Sequence, residues 1–257
     1  MEFLRPSRRR TVLSDIAYIG LNVLMAVIIL AVVYSVASPL PAFILVILSK
    51  WRIFAVRPQY WYANIVANIV DIIVSVSFVV LLVAASGALY VQIALTALYI
   101  LWLLLLKPSS KRALVVSQAG VGLFVGVAAL AHISSEWWAS VVVVLMWLIG
   151  YSVARHVLTA YKEPHFALLS LIWGLVVAEI GWLTYHWNFA YDLGFTGSLL
   201  LSQAAIVTAL LGFLAERMYS SYHQHQTIRV TDVVLPALLT VSITIILLTV
   251  FGTVKGV

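Results

Sequence analysis

The chain of 257 residues contains no cysteine. That absence excludes disulfides, thiolate nucleophiles, iron–sulfur clusters and cysteine metal sites. Charge is nearly as scarce, at 9% of residues, against about 25% in a soluble globular chain. So few polar side chains cannot cover a water-facing surface. The short motifs of hydrolysis and nucleotide binding are also missing: there is no Gly-x-Ser-x-Gly, no His-Glu-x-x-His and no Gly-x-x-x-x-Gly-Lys. Gly197-Ser198 has no suitably placed histidine, which argues against an intramembrane serine protease. No lysine falls in the middle of a predicted span, which argues against a retinal Schiff base. Alternating polar and apolar runs are absent, and with them the signature of a membrane β-barrel.

What is present is apolar. Hydrophobic residues make up 64% of the chain and the mean hydropathy is +1.10. The expected class is all-α, a polytopic transmembrane helical bundle in one integral membrane domain. About nine spans are predicted, at 16–37, 40–53, 60–85, 89–106, 113–133, 137–158, 166–187, 195–215 and 233–251, after a basic tail over 1–14. Ser7-Arg8-Arg9-Arg10 resembles a twin-arginine export signal. The apolar run behind it is too long for a signal, so an uncleaved first span is expected. The second segment is short and reaches span length only if Lys50 and Arg52 snorkel to the interface.

The formal charge is +6, and the cations are not scattered. Arg5, Arg8, Arg9 and Arg10 precede the first span; Lys50, Arg52 and Arg57 follow the second. Lys107, Lys111 and Arg112 follow the fourth, Arg155 and Lys162 the sixth, Arg217 and Arg229 the eighth. The intervening connections are neutral or acidic. This alternation predicts the N-terminus inside and the C-terminus outside. It also assigns the basic surplus to topology and to anionic lipid headgroups, with no nucleic-acid partner. Trp51, Trp61, Trp137, Trp138 and Trp187 fall at predicted span ends, as an aromatic belt requires.

Two small-residue faces are expected to pack helices in lipid. One carries Gly122 and Gly126 in the fifth span; the other carries Ser198, Ser202, Ala205, Ala209 and Gly212 in the eighth. The third span is less ordinary. Asn64, Asn68, Asp71 and Ser75 recur at helical spacing, and their face continues as apolar Phe78 and Leu82. A carboxylate in the middle of a span costs roughly 2.5–3.5 kcal/mol on insertion scales, so Asp71 has to face the bundle, water or a partner. In the seventh span Glu179 and His186, seven residues apart, share a face. Together Asn64, Asn68, Asp71, Ser75, Glu179 and His186 form a candidate polar pathway, two half-paths meeting near the midplane. The other reading makes the amides hydrogen-bonding glue between helices and pairs or protonates the carboxylates. No metal or cofactor is expected. His223-Gln224-His225 reads as a solvated loop without carboxylate support. His132, His156, His165 and His186 lack a haem-ligand spacing.

The stretch Lys50-Trp51-Arg52-x-Phe54-Ala55-Val56-Arg57-Pro58-x-x-Trp61-x-Ala63-Asn64-x-x-x-Asn68-x-Val70-Asp71 resembles a segment of uncharacterised multi-pass membrane proteins of small-genome bacteria. The resemblance implies a bacterial cytoplasmic membrane and carries no activity. The leading expectation is a proton- or cation-coupled transporter or channel subunit using the two carboxylates. The alternatives are a non-catalytic scaffold or assembly subunit, as a homo-oligomer or within a larger membrane complex, and, behind it, a lipid-modifying enzyme.

Overall fold

The computed structural model describes residues 12–36, 38–186, 189–192, 196, 198–249 and 255–256. Arg5 to Arg10, Ala37, Trp187, Phe195, Gly197 and Phe251 lie outside the described residues. Among the described residues the fold is nearly all-α. Nine helices run α1 (Val12–Ser35), α2 (Leu40–Ser49), α3 (Trp61–Ala84), α4 (Leu89–Leu101), α5 (Arg112–Ile133), α6 (Ala139–Ala160), α7 (Phe166–His186), α8 (Gln203–His225) and α9 (Val230–Thr249). Seven segments are long and apolar enough to cross a membrane: α1, Pro58–Ala84, α4 with its continuation to Leu106, α5, α6, α7 and α9. These are compatible with a multi-pass integral membrane protein.

Two of the expected spans differ. The helix of the second segment stops at Ser49 and has 10 residues, so it rises only about 15 Å, half of a ~30 Å hydrocarbon layer. Single 3-10 turns over Trp51–Ile53 and Pro58–Tyr60 carry the chain on to α3. The eighth helix is displaced along the chain, running from Gln203 to His225 rather than 195 to 215. Its approach is a strand, Leu201–Ser202 (β2), paired antiparallel with Phe189–Tyr191 (β1); Lys255–Gly256 (β3) pairs with the other edge of β1. Its end is set by Gln226, whose left-handed backbone (φ 57°) caps the helix by donating its N–H to Tyr222 O at 2.7 Å. His223 and His225 therefore sit in a last helical turn, not in a loop.

The helices form two packed groups that share α3. One buried cluster joins α1 through α4, including Ala26, Val46, Val79 and Leu103. The other joins α3, α5, α6, α7 and α8, including Leu123, Val127, Met146, Val177 and Ala205. α5 lies against α3, α6 and α8, while α7 lies mainly on α6 and α9 on α8. Lipid offers no burial from water, so close approach of backbones does this work. A Cβ on Gly122 would fall 2.9 Å from Val70 Cγ1 and one on Gly126 3.0 Å from Ile73 Cγ2, at the α3–α5 contact. The α6–α7 contact is closer still and rests on Gly150, Gly174 and Gly181: a Cβ on Gly181 would lie 2.6 Å from Met146 Cγ.

Gly150→Ala is expected to destabilise the protein by about 1–3 kcal/mol, because its Cβ would lie 2.7 Å from Val177 Cβ, an atom no rotamer can move. Gly120→Ala has nothing within 4 Å and should leave stability within about 0.5 kcal/mol. Unfolding of both variants in detergent micelles checks the contrast.

Candidate functional site

The polar stripe of α3 ends in a buried ion cluster. Asp71 is 9% exposed and Ser75 fully buried. Lys50, at the C-terminal end of α2, places Nζ 2.5 Å from Asp71 Oδ2 and 2.8 Å from Ser75 Oγ. Lys107 Nζ lies 3.0 Å from the same Asp71 oxygen. The other carboxylate oxygen accepts from Trp102 Nε1 at 3.3 Å. Tyr99 donates to Ser75 Oγ at 3.0 Å and stacks on Phe78, and Ser75 donates to Asp71 O at 2.6 Å. The carboxylate thus holds two ammonium groups and an indole N–H, with one net positive charge left on the cluster.

Local backbone geometry brings these groups together. Lys50 does not snorkel to an interface; its residue is 7% exposed. In a low-dielectric surrounding an unpaired carboxylate costs far more than a paired one, so the ammonium is drawn inward. α4 ends in a π-helical turn over Trp102–Leu106, with Lys107 N donating to Trp102 O at 2.8 Å. Such a turn holds one residue more than an α-turn and so rotates the residues beyond it about the helix axis; here Trp102 and Lys107 both reach Asp71. Gln118 of α5 secures the turn: its Nε2 donates to Leu106 O and, at 3.0 Å, to Ser109 O. Its Oε1 pairs with His156 Nε2 of α6 at 2.7 Å.

The other residues of the candidate pathway lie elsewhere. Asn68 Nδ2 donates to Asn64 O at 2.8 Å, and Asn64 Nδ2 reaches Ile53 O at 3.4 Å, so the amides tie α3 to itself and to the 3-10 turn. Glu179 is exposed on the outward side of α7. It has no hydrogen bond or ion pair with any described residue. His186, also exposed, bonds Trp182 O at 2.9 Å and packs on the rings of Trp182 and Tyr185. Asp71 is buried among α2, α3 and α4, whereas Glu179 faces out from α7; the structure does not bring the two carboxylates into one site.

The small-residue face of α8 is divided as well. Ser198 precedes the helix and donates to Ala84 O at 2.6 Å. Ser202 sits at the N-cap, its buried Oγ without a hydrogen bond among the described residues. Ala205 is fully buried in the core, while Ala209 and Gly212 line a cavity against α5. Among the described residues no three His, Asp or Glu side chains converge as a metal site would require.

Asp71→Asn should destabilise the protein by about 3–5 kcal/mol, because two ammonium groups lose their counter-charge. The double variant Lys50→Met with Asp71→Leu should recover more than half of that loss, since Lys107 is 31% exposed along its side chain and can turn to water. Equilibrium unfolding in micelles measures both. Set beside known proteins, the chain matches no family model, no curated protein and no solved structure.

Proposed function

We propose that the protein is a non-catalytic, multi-pass membrane subunit that assembles with a second copy of itself through the outer face of α7. One observation carries this reading: among the described residues Glu179 stands unpaired on that face, with apolar side chains on the turns to either side of it. α7 turns Gly174, Val177, Ala178 and Gly181 inward, leaving Ile172 (50% exposed), Leu175 (58%) and Leu183 (50%) around Glu179 on the outside. Glu179 lies 7 residues before the end of α7, about 10 Å along the axis, well inside the hydrocarbon of a spanning helix. Lipid has no group to receive a carboxyl there, and exposure costs roughly 2.5–3.5 kcal/mol. A two-fold contact sets a residue near the axis against its own copy. Two facing carboxyl groups then hydrogen-bond each other across the axis.

The end of the bundle that carries Arg112 and Arg217 is read as the cytoplasmic side from its surplus of cations. Proton- or cation-coupled transport through Asp71 and Glu179 draws less support. Asp71 already holds two lysines, and the carboxylates face different surroundings.

Single-molecule photobleaching in liposomes over a range of protein densities tests the assembly. The wild-type protein should dimerise, and Glu179→Gln, which still hydrogen-bonds across the axis, should do so within threefold. Glu179→Leu should weaken dimerisation about 5–30-fold, the equivalent of ~1–2 kcal/mol for a hydrogen bond in lipid. A wild-type protein that is monomeric at every density, or a Leu variant that dimerises as tightly, removes the reading.

A further inference from the structure

A cavity of about 710 Å³ lies between α5, α6, α7 and α8, away from both carboxylates discussed so far. Its volume falls within the ~300–1,000 Å³ of small-molecule sites. The walls are apolar: Val116, Gly120 and Leu123 of α5, Trp173 of α7 and Phe213 of α8. Its depth follows from α5. Its lining on α5 runs from exposed Arg112 to buried Leu123, a rise of about 16 Å, or half of a ~30 Å hydrocarbon layer. The cavity is one leaflet deep.

The mouth is polar in a specific way. Arg112 Cζ lies 4.6 Å from the centre of the Tyr161 ring, so the ring fixes the guanidinium plane while its N–H groups remain available. The Tyr161 hydroxyl donates to Glu216 Oε1 at 2.8 Å. Glu216 Oε2 is buried and has no hydrogen bond among the described residues. Its nearest cation, Arg217 Nε, is 3.6 Å away on a half-exposed side chain. Glu163, in the α6–α7 connection, does not line the cavity; the Tyr219 hydroxyl donates to it and holds its carboxyl below the usual range. A buried carboxylate oxygen without a donor is costly, and a ligand that brings one is favoured.

We propose that this cavity is a phospholipid site. An acyl chain fills the apolar depth, the headgroup phosphate meets Arg112, and a donor on the headgroup, an ammonium or hydroxyl, meets Glu216 Oε2. One side chain links the two polar contacts: Arg112 packs on the Tyr161 ring and Glu216 accepts from the Tyr161 hydroxyl. A choline headgroup has the phosphate and lacks the donor; a diacylglycerol has a hydroxyl and lacks the phosphate.

The test uses the full chain, delipidated in detergent, and native mass spectrometry with three lipids of identical chains: phosphatidylethanolamine, phosphatidylcholine and diacylglycerol. Phosphatidylethanolamine should bind at least tenfold more tightly than either other lipid, and Glu216→Leu should abolish its advantage over phosphatidylcholine. Gly120→Phe projects a ring into open space and should weaken binding of all three at least tenfold. Ser117→Phe, which also lines the cavity, is the second filling variant should the first fail to fold. Equal binding of the ethanolamine and choline lipids overturns the headgroup assignment. A filled cavity that binds lipid as the wild type does overturns the site.

Discussion

The attraction between one carboxylate and two ammonium groups in a medium of low dielectric organises the first half of this protein. Asp71 stands 10 residues into α3, about 15 Å from its start. α2 approaches from the opposite end and is itself about 15 Å long, from its 10 residues. The two lengths sum to roughly the ~30 Å of a hydrocarbon layer, so the short helix ends near the depth of the carboxylate. Lys50, at that end, completes the pair at 2.5 Å. A longer α2 would carry its ammonium past Asp71. The half-length helix and the two 3-10 turns behind it are thus what a fixed ion pair asks of the chain, and the π-helical turn that delivers Trp102 and Lys107 answers the same demand from α4.

The two deep carboxylates show two solutions to one cost. Asp71 is neutralised within the chain, at the expense of ordering three elements around it. Such clusters contribute little net stability over a well-packed apolar core, but losing one member is expensive; they hold a geometry more than they deepen a well. Among the described residues Glu179 has no such partner. Its helix packs so tightly on α6, through Gly150, Gly174 and Gly181, that its outer face is left to whatever surrounds the protein. The proposed contact with a second copy meets that cost.

Much of this was legible in the residues, and the rest fails for identifiable reasons. Apolar run length locates α3, α5, α6 and α7 to within a few residues, because in lipid the backbone has to satisfy itself helically. The cost of Asp71 was readable from its position, yet its partners were not: Lys50 and Lys107 are 21 and 36 residues away, and a π-helical turn leaves no mark in hydropathy. α8 was displaced because its apolar run begins in a strand and its polar end, from Glu216 to His225, is still helical. Helical spacing put Glu179 and His186 on one face but not which way that face turns. The signal was present: Gly174, Ala178 and Gly181 mark the inward side of α7, and Glu179 falls off that stripe. The floor and mouth of the cavity come from four helices, a convergence no single stretch records.

Exposure alone would not single out α7. α9 is more exposed still, with 6% of its spanning window buried, and α1 has 11%. Both present apolar side chains to their surroundings, and for them lipid is a sufficient neighbour: hydrocarbon is as good a solvent for leucine as another leucine is. α9 carries its one acid, Asp232, in its first turn, where Ser221 Oγ donates to it at 2.7 Å. Remove the charge from α7 and it would join α1 and α9 as a helix content in lipid. In the proposed assembly, the distinction between a lipid-facing helix and an interface therefore rests on a single carboxyl group, on the chemistry of that group and not on the area of the face.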